Sequence, residues 1–146
     1  MKKIVIDTNI LISSLINRNG LEYSIITDPY LDFKFFAPYF LFIEVIKHKN
    51  KILKCSKLSE SEFLSVVYKC IKRISFVNEI FIDNSNLIKA KNFINNVDRN
   101  DIIFVALSLE LDATLWTGDK LLISTLKKSS DFRIATTKDI ILNMFD

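Results

Sequence analysis

Short β-branched and aromatic runs alternate with longer amphipathic ones along almost the whole chain, and this alternation restricts the fold more than any other feature. KIVID (3–7), FKFFAP (33–38), ATLWTGD (113–119) and RIATT (133–137) are strand candidates. The first is continuously apolar, as expected of a strand covered on both faces. TNILISSLINR reads as a helix that stops near Asn19-Gly20, and a second short helix is expected over 21–27, before Asp28-Pro29. One helix is expected from about Tyr39 to Leu53. LSESEFLSVVYKCIKRI offers Ser59 as an N-cap with Glu62 three residues later, a capping-box pattern, followed by Phe63, Val66, Val67, Cys70, Ile71 and Ile74 at helical spacing. The stretch 75–82 is ambiguous and has room for a short strand. Helices are expected over 85–95, VDRNDIIFVALSLEL, DKLLISTLKK and TTKDIILNMF. Such β–α alternation implies an α/β fold with a mainly parallel sheet and helices on both faces. At 146 residues the chain is expected to form one domain with its own core.

Scarcity excludes much chemistry. The two glycines, Gly20 and Gly118, are far apart, so neither a dinucleotide-binding fingerprint nor a phosphate-binding P-loop can form. A single histidine, His48, excludes HExxH zinc sites and any multi-histidine centre. Its setting in KHKNK argues against a buried general base, and so against serine or cysteine nucleophiles that would depend on it. Cys55 and Cys70 are too few for a disulfide framework and are read as reduced and structural. The opening MKKIVIDTNILISSLI imitates a secretory signal, but Asp7 and Asn9 interrupt it and no small-residue cleavage site follows. The apolar run from Phe35 to Ile43 is too short to span a bilayer and contains Pro38. A soluble, cytoplasmic protein without membrane association is expected.

Carboxylates remain. In α/β sheets, sites form beyond the carboxyl ends of the strands. Asp7 ends the first strand candidate, and Asp119 follows ATLWTG in an equivalent place. Asp98 and Asp101 open the helix of DRNDIIFVALSLEL. Glu44 stands alone in FLFIEVI (40–46), where a helix would point it at something buried. Each aspartate singly suits a helix cap, and Glu44 singly suits a buried ion pair. Together they can converge at one sheet edge, where mutual repulsion calls for a divalent cation. Oxygen-only ligands suit Mg²⁺ or Mn²⁺, which support in-line displacement at phosphorus.

IVIDTNILIS, the glutamate of FLFIEVIKHKNKI, DRNDIIFVALSLELDATLWTGDK and IATTKDI, in that order over essentially the whole chain, resemble the PIN-domain family. The stretch from Val97 to Lys120 is the most specific part. The resemblance implies a three-layer α/β/α sandwich and a metal-dependent ribonuclease site. The family's acids fall on Asp7, Glu44, Asp101 and Asp119, with Asp98 as an additional, secondary acid. Thr8, Asn9 and Thr117 match polar residues that support the acids. Many small members resemble VapC-type toxins, which implies a cognate antitoxin and a homodimer as expected partners; others are stand-alone RNA-processing nucleases.

Charge bears on the substrate. The net charge is only +3, but setting the four acids aside leaves thirteen acidic residues against twenty basic ones, a remainder of +7. Lys47, Lys49 and Lys51 cluster in KHKNK near Lys54 and Lys57; KCIKR (69–73) and Lys127-Lys128 form further groups. An acidic pocket bordered by positive surface suits RNA, although lysines on helices also solvate exposed faces. Arg99, between two candidate acids, is expected to meet a phosphate or an acid, whereas Trp116 in its strand is expected to be core. Two other functions compete with a Mg²⁺- or Mn²⁺-dependent endoribonuclease. A non-catalytic RNA- or protein-binding module would be expected to lose at least one acid. An aspartyl-nucleophile phosphatase commonly places a second aspartate two residues after the first, where this chain has Asn9.

Overall fold

The computed structural model describes residues 1–94 and 99–144, with Arg99 described by its backbone alone. Five strands, β1 (Lys2–Ile6), β2 (Phe33–Pro38), β3 (Ile74–Val77), β4 (Thr114–Trp116) and β5 (Ile134–Ala135), pair in the order β3-β2-β1-β4-β5, every neighbouring pair parallel. Ile4, Val5 and Ile6 are consecutively buried, so β1 is covered on both faces. The helices are α1 (Thr8–Ile16), α2 (Leu21–Thr27), α3 (Phe40–Lys47), α4 (Lys49–Ser56), α5 (Glu60–Ile71), α6 (Asn84–Phe93), α7 (Arg99–Glu110), α8 (Lys120–Leu126) and α9 (Thr137–Asn143), with a 3₁₀ turn at Glu79–Phe81. α1 touches α2, α3, α4 and α5, whereas α7 lies on β1, β2 and β4 with α6 against it. The result is the expected α/β/α sandwich. Among the described residues, no helix is long and apolar enough to cross a membrane.

Winding out from β1, the chain first adds β2 and β3 on one side, then returns to add β4 and β5 on the other. The reversal leaves a crevice beyond the carboxyl ends of β1 and β4, the place where open α/β sheets bind ligands. Beneath it the core is close-packed. Trp116 is fully buried, its ring centroid 6.2 Å from that of Phe35, and its Nε1 donates to Thr137 Oγ1 at 3.1 Å. Its hydrogen-bonded burial makes Trp116 core, as expected of a strand aromatic.

One expected element divides in two. The helix expected over 39–53 bends at His48, where the backbone sits at φ −96°, ψ 5°, and α4 continues to Ser56. The bend falls where KHKNK offers no apolar side chain to hold that turn against the core. On either side, Leu41 and Val45 in α3 and Ile52 in α4 are buried. The ambiguous stretch 75–82 contributes β3, an edge strand paired with β2.

Candidate active site

Asp7 stands where β1 becomes α1. Its backbone N–H donates to Trp116 O at 3.0 Å, carrying the β1–β4 ladder one residue beyond the strand. Its side chain caps α1, with Oδ1 accepting from Thr8 N at 2.8 Å. Capping occupies one oxygen. The other, Oδ2, accepts from Thr117 Oγ1 at 2.6 Å and from Asn9 Nδ2 at 3.2 Å, and only 5% of Asp7 is exposed. Burial pushes its carboxyl up to about 6; the bonds from Thr117 and Thr8 oppose that rise, while the nearby charges of Glu44 and Asp119 add to it.

Three polar side chains tie the surrounding acids together. Thr8 Oγ1 donates to Glu44 Oε1 at 2.9 Å, linking α1 to α3. Fully buried Thr117 donates to Asp7 and accepts from Asp119 N at 3.1 Å. Asn9 donates to Asp7, and its Oδ1 accepts from Gly118 N at 3.2 Å. Replacing Thr117 with Val keeps the shape and removes the hydroxyl. Asp7 then loses a donor that favours its charged form, so its pKa rises further. We expect the acid limb of any pH–rate profile to move to higher pH, with a stability loss of about 1–2 kcal/mol on thermal melting. An unmoved acid limb would show that Thr117 does not tune Asp7.

Asp7, Thr8, Asn9, Ile12, Glu44, His48, Asn100 and Asp101 line one cavity of about 150 Å³. Glu44 therefore faces other acids, and among the described residues neither it nor Asp7 nor Asp119 forms an ion pair. Asp101 enters from the first turn of α7. Asp119 stands beside the cavity, not in its lining. It caps α8, its Oδ1 accepting from Leu121 N at 2.9 Å and Leu122 N at 3.1 Å, and it joins the group through Thr117. Lys47 and Lys51 are exposed outside the lining, and Lys49 pairs with Glu60 at 3.4 Å. Asp98 and the side chain of Arg99 lie outside the described residues. Sequence reasoning missed Ile12, His48 and Asn100 as lining residues. The i,i+4 spacing of Glu44 and His48 on one helical face was the available signal for His48.

A larger cavity, about 340 Å³, opens at the amino-terminal edge of the sheet, lined in part by Lys2, Lys3 and Arg133. There the two lysines donate to the carbonyls of Asn143 and Leu111, and Arg133 is paired with Asp112. Its cations are engaged in holding that edge together.

Among the described residues, no three carboxylate, imidazole or thiolate groups are gathered closely enough to hold a metal ion as they stand. The donor set is nonetheless one that suits a hard cation: buried or half-buried carboxylates, hydroxyls and amides, with one exposed imidazole, His48, and no thiolate. Mg²⁺ keeps several waters and takes only one or two carboxylates directly, so these residues fit a hydrated divalent cation better than a cage made wholly of protein ligands.

A family model described as PIN domain matches residues 5–139. No curated protein matches the chain by sequence. Among solved structures, the chain is similar to DNA-bound VapBC from Salmonella typhimurium, with a TM-score of 0.67 and 15% identity, covering 94% of this chain and 99% of that one. It is also similar to VapBC2 from Rickettsia felis bound to a DNA fragment from its promoter, with a TM-score of 0.65, 12% identity, and 92% and 98% of the two chains covered. For VapBC-1 from nontypeable Haemophilus influenzae the values are 0.64, 14%, 93% and 98%. At these identities the likeness shows the fold.

Proposed function

The chain belongs to the PIN-domain family, and from that premise we propose that it is a single-domain, Mg²⁺- or Mn²⁺-dependent endoribonuclease, the toxin of a toxin–antitoxin pair. PIN domains are typically nucleases. The observation that carries the reading is the buried Asp7 carboxylate, which shares a cavity with Glu44 and Asp101 and has no basic partner among the described residues. An uncompensated buried charge is costly, and a site that binds a cation repays that cost in function.

In this reading Asp7, Glu44, Asp101 and Asp119 would hold the hydrated cation, one or two of them directly and the rest through its waters, and Asp98 would be a secondary acid. When bound, the cation neutralises the clustered charge and lowers the pKa of water for attack on phosphorus. Thr117 and Thr8 keep the Asp7 carboxylate oriented and favour its charged form, and Thr8 also fixes Glu44. Asn9 holds the β1 and β4 termini in register around them. Hydrolysis makes one bond from water oxygen to phosphorus and breaks the bond to the leaving sugar oxygen. Lys47, Lys51 and Arg99 draw the RNA backbone toward the cavity, with Lys49 shared with Glu60. A cognate antitoxin and a homodimer are the partners in this reading, and the VapBC complexes among the structural neighbours support the first. The molar mass of the purified protein in solution, alone and with a candidate antitoxin, tests both.

The test of function is incubation with structured and unstructured RNAs in Mg²⁺, Mn²⁺ or EDTA. Endonucleolytic fragments with either cation, and intact RNA with EDTA, are expected. A second reading, a binding module on the same fold, draws on the lack of a ready three-ligand cluster among the described residues. Intact RNA in every condition, from properly folded protein, would favour it.

A further inference from the structure

The acid cavity has one polar lining side chain left uncommitted among the described residues. Thr8 is engaged with Glu44, and Asn9 with Asp7 and Gly118. Asn100 has an interaction of its own, as does Asp101. Ile12 is apolar. That leaves His48, whose imidazole has no hydrogen-bond or ion-pair partner among the described residues. Its backbone, by contrast, is pinned: the His48 N–H is shared between Glu44 O at 3.1 Å and Val45 O at 3.2 Å, and His48 O accepts from Ile52 N at 2.9 Å.

The bend between α3 and α4 is what puts this side chain there. His48 closes α3 one turn after Glu44 and on the same face, so both project toward the cavity. The chain then turns into α4, and the ring stays exposed at the cavity rim. The lining carboxylates, Asp7, Glu44 and Asp101, repel a phosphodiester. A phosphate arriving at that rim needs a donor held in place. The exposed lysines on either side are long and flexible, and their attraction for the backbone is screened by salt. A neutral imidazole already carries one N–H donor, so the contact requires no change in protonation.

We propose that the His48 imidazole donates a hydrogen bond to a phosphate oxygen of the RNA strand at the mouth of the acid cavity, which makes His48 a substrate-binding residue. The proposal rests on the nuclease reading for its substrate class, and not on cleavage itself.

The test uses a fluorescein-labelled oligoribonucleotide and anisotropy in Mg²⁺, with Asp101→Asn protein to prevent turnover. His48→Ala and His48→Phe should weaken binding about tenfold, and His48→Gln, which keeps an N–H donor, should stay within about threefold of the parent. In protein with Asp101 intact, the same loss should appear in KM with kcat nearly unchanged. Melting temperatures should move little, since His48 is exposed and its ring makes no hydrogen bond or ion pair among the described residues. Unchanged binding by His48→Ala would overturn the proposal. So would parental binding by His48→Phe, which would mean stacking on a base, or a fall in kcat at constant KM, which would mean a part in the chemical step. Protein that binds the oligoribonucleotide through His48 but never cleaves it would keep this contact and remove the nuclease reading.

Discussion

Asp7→Asn should abolish cation-dependent RNA cleavage, lowering kcat by about 10³-fold or more, and should make the cation-free protein more stable. Both effects follow from one placement. Asp7 is buried, and its carboxyl is pushed up to about 6, first by burial and then by the charges of Glu44 and Asp119. An unfolded chain titrates this group near the ordinary aspartate value, so between there and pH 6 the folded state binds more protons than the unfolded one. Stability therefore falls as pH rises through that window and stays reduced above it. The penalty at neutral pH is on the order of 3 kcal/mol. Asparagine keeps the acceptor for Thr8 N and suits an N-cap, but its amide meets the donors Thr117 and Asn9, which returns part of the gain. We expect a net rise in melting temperature of roughly 3–8 °C at pH 7.5 in EDTA. Retained cleavage would remove Asp7 from the site; a lowered melting temperature would mean that its charge stabilises the fold.

Asp101→Asn should be equally inactive, with the opposite and smaller effect on stability. Asp101 sits in the first turn of α7, where a negative charge complements the helix dipole, and its side chain helps line the cavity. Losing the charge costs about 0.3–1 kcal/mol from the dipole alone, a fall of roughly 1–4 °C. Cleavage assays and melting curves on the two variants side by side thus separate chemistry from fold. Both lose activity, while stability moves in opposite directions. Metal-dependent activity persisting in Asp101→Asn would sink the assignment of this acid.

Features that depend on neighbouring residues were legible in the sequence. Ser59 caps α5 as expected: its hydroxyl accepts from Glu62 N at 3.1 Å, while Glu62 accepts from Ser59 N at 3.2 Å. The continuous apolar run of β1 announced a strand buried on both faces, and the strand aromatic Trp116 is core. A second capping box, Thr136 with Asp139, has the same local logic but went unnoticed inside TTKDI. The long-range arrangement was less legible. Local pattern did not give the order of the strands, which follows from where each helix crosses. The split of the expected helix at His48 lets α4 lie along α1, a tertiary contact that local spacing does not carry, whereas the i,i+4 spacing from Glu44 was a signal for the imidazole at the cavity rim. Asp7, Asp101 and Asp119 stand out by their position at element ends and Glu44 by its place in an apolar helical run, and the structure sets Asp7, Glu44 and Asp101 around one cavity. Asp119 stands just outside because capping α8 fixes one of its oxygens. Spacing in the sequence does not carry a difference that small.

The most direct test of a cation site built on Asp7 is the melting temperature as Mn²⁺ is titrated into cation-free wild-type, Asp7→Asn and Asp101→Asn proteins at pH 7.5. The wild-type value should climb with Mn²⁺ as binding to the folded state relieves the buried charge. Asp7→Asn should start higher and stay flat, and Asp101→Asn should respond weakly. A wild-type curve indifferent to Mn²⁺, or an Asp7→Asn curve that climbs as steeply as wild type, would contradict the account.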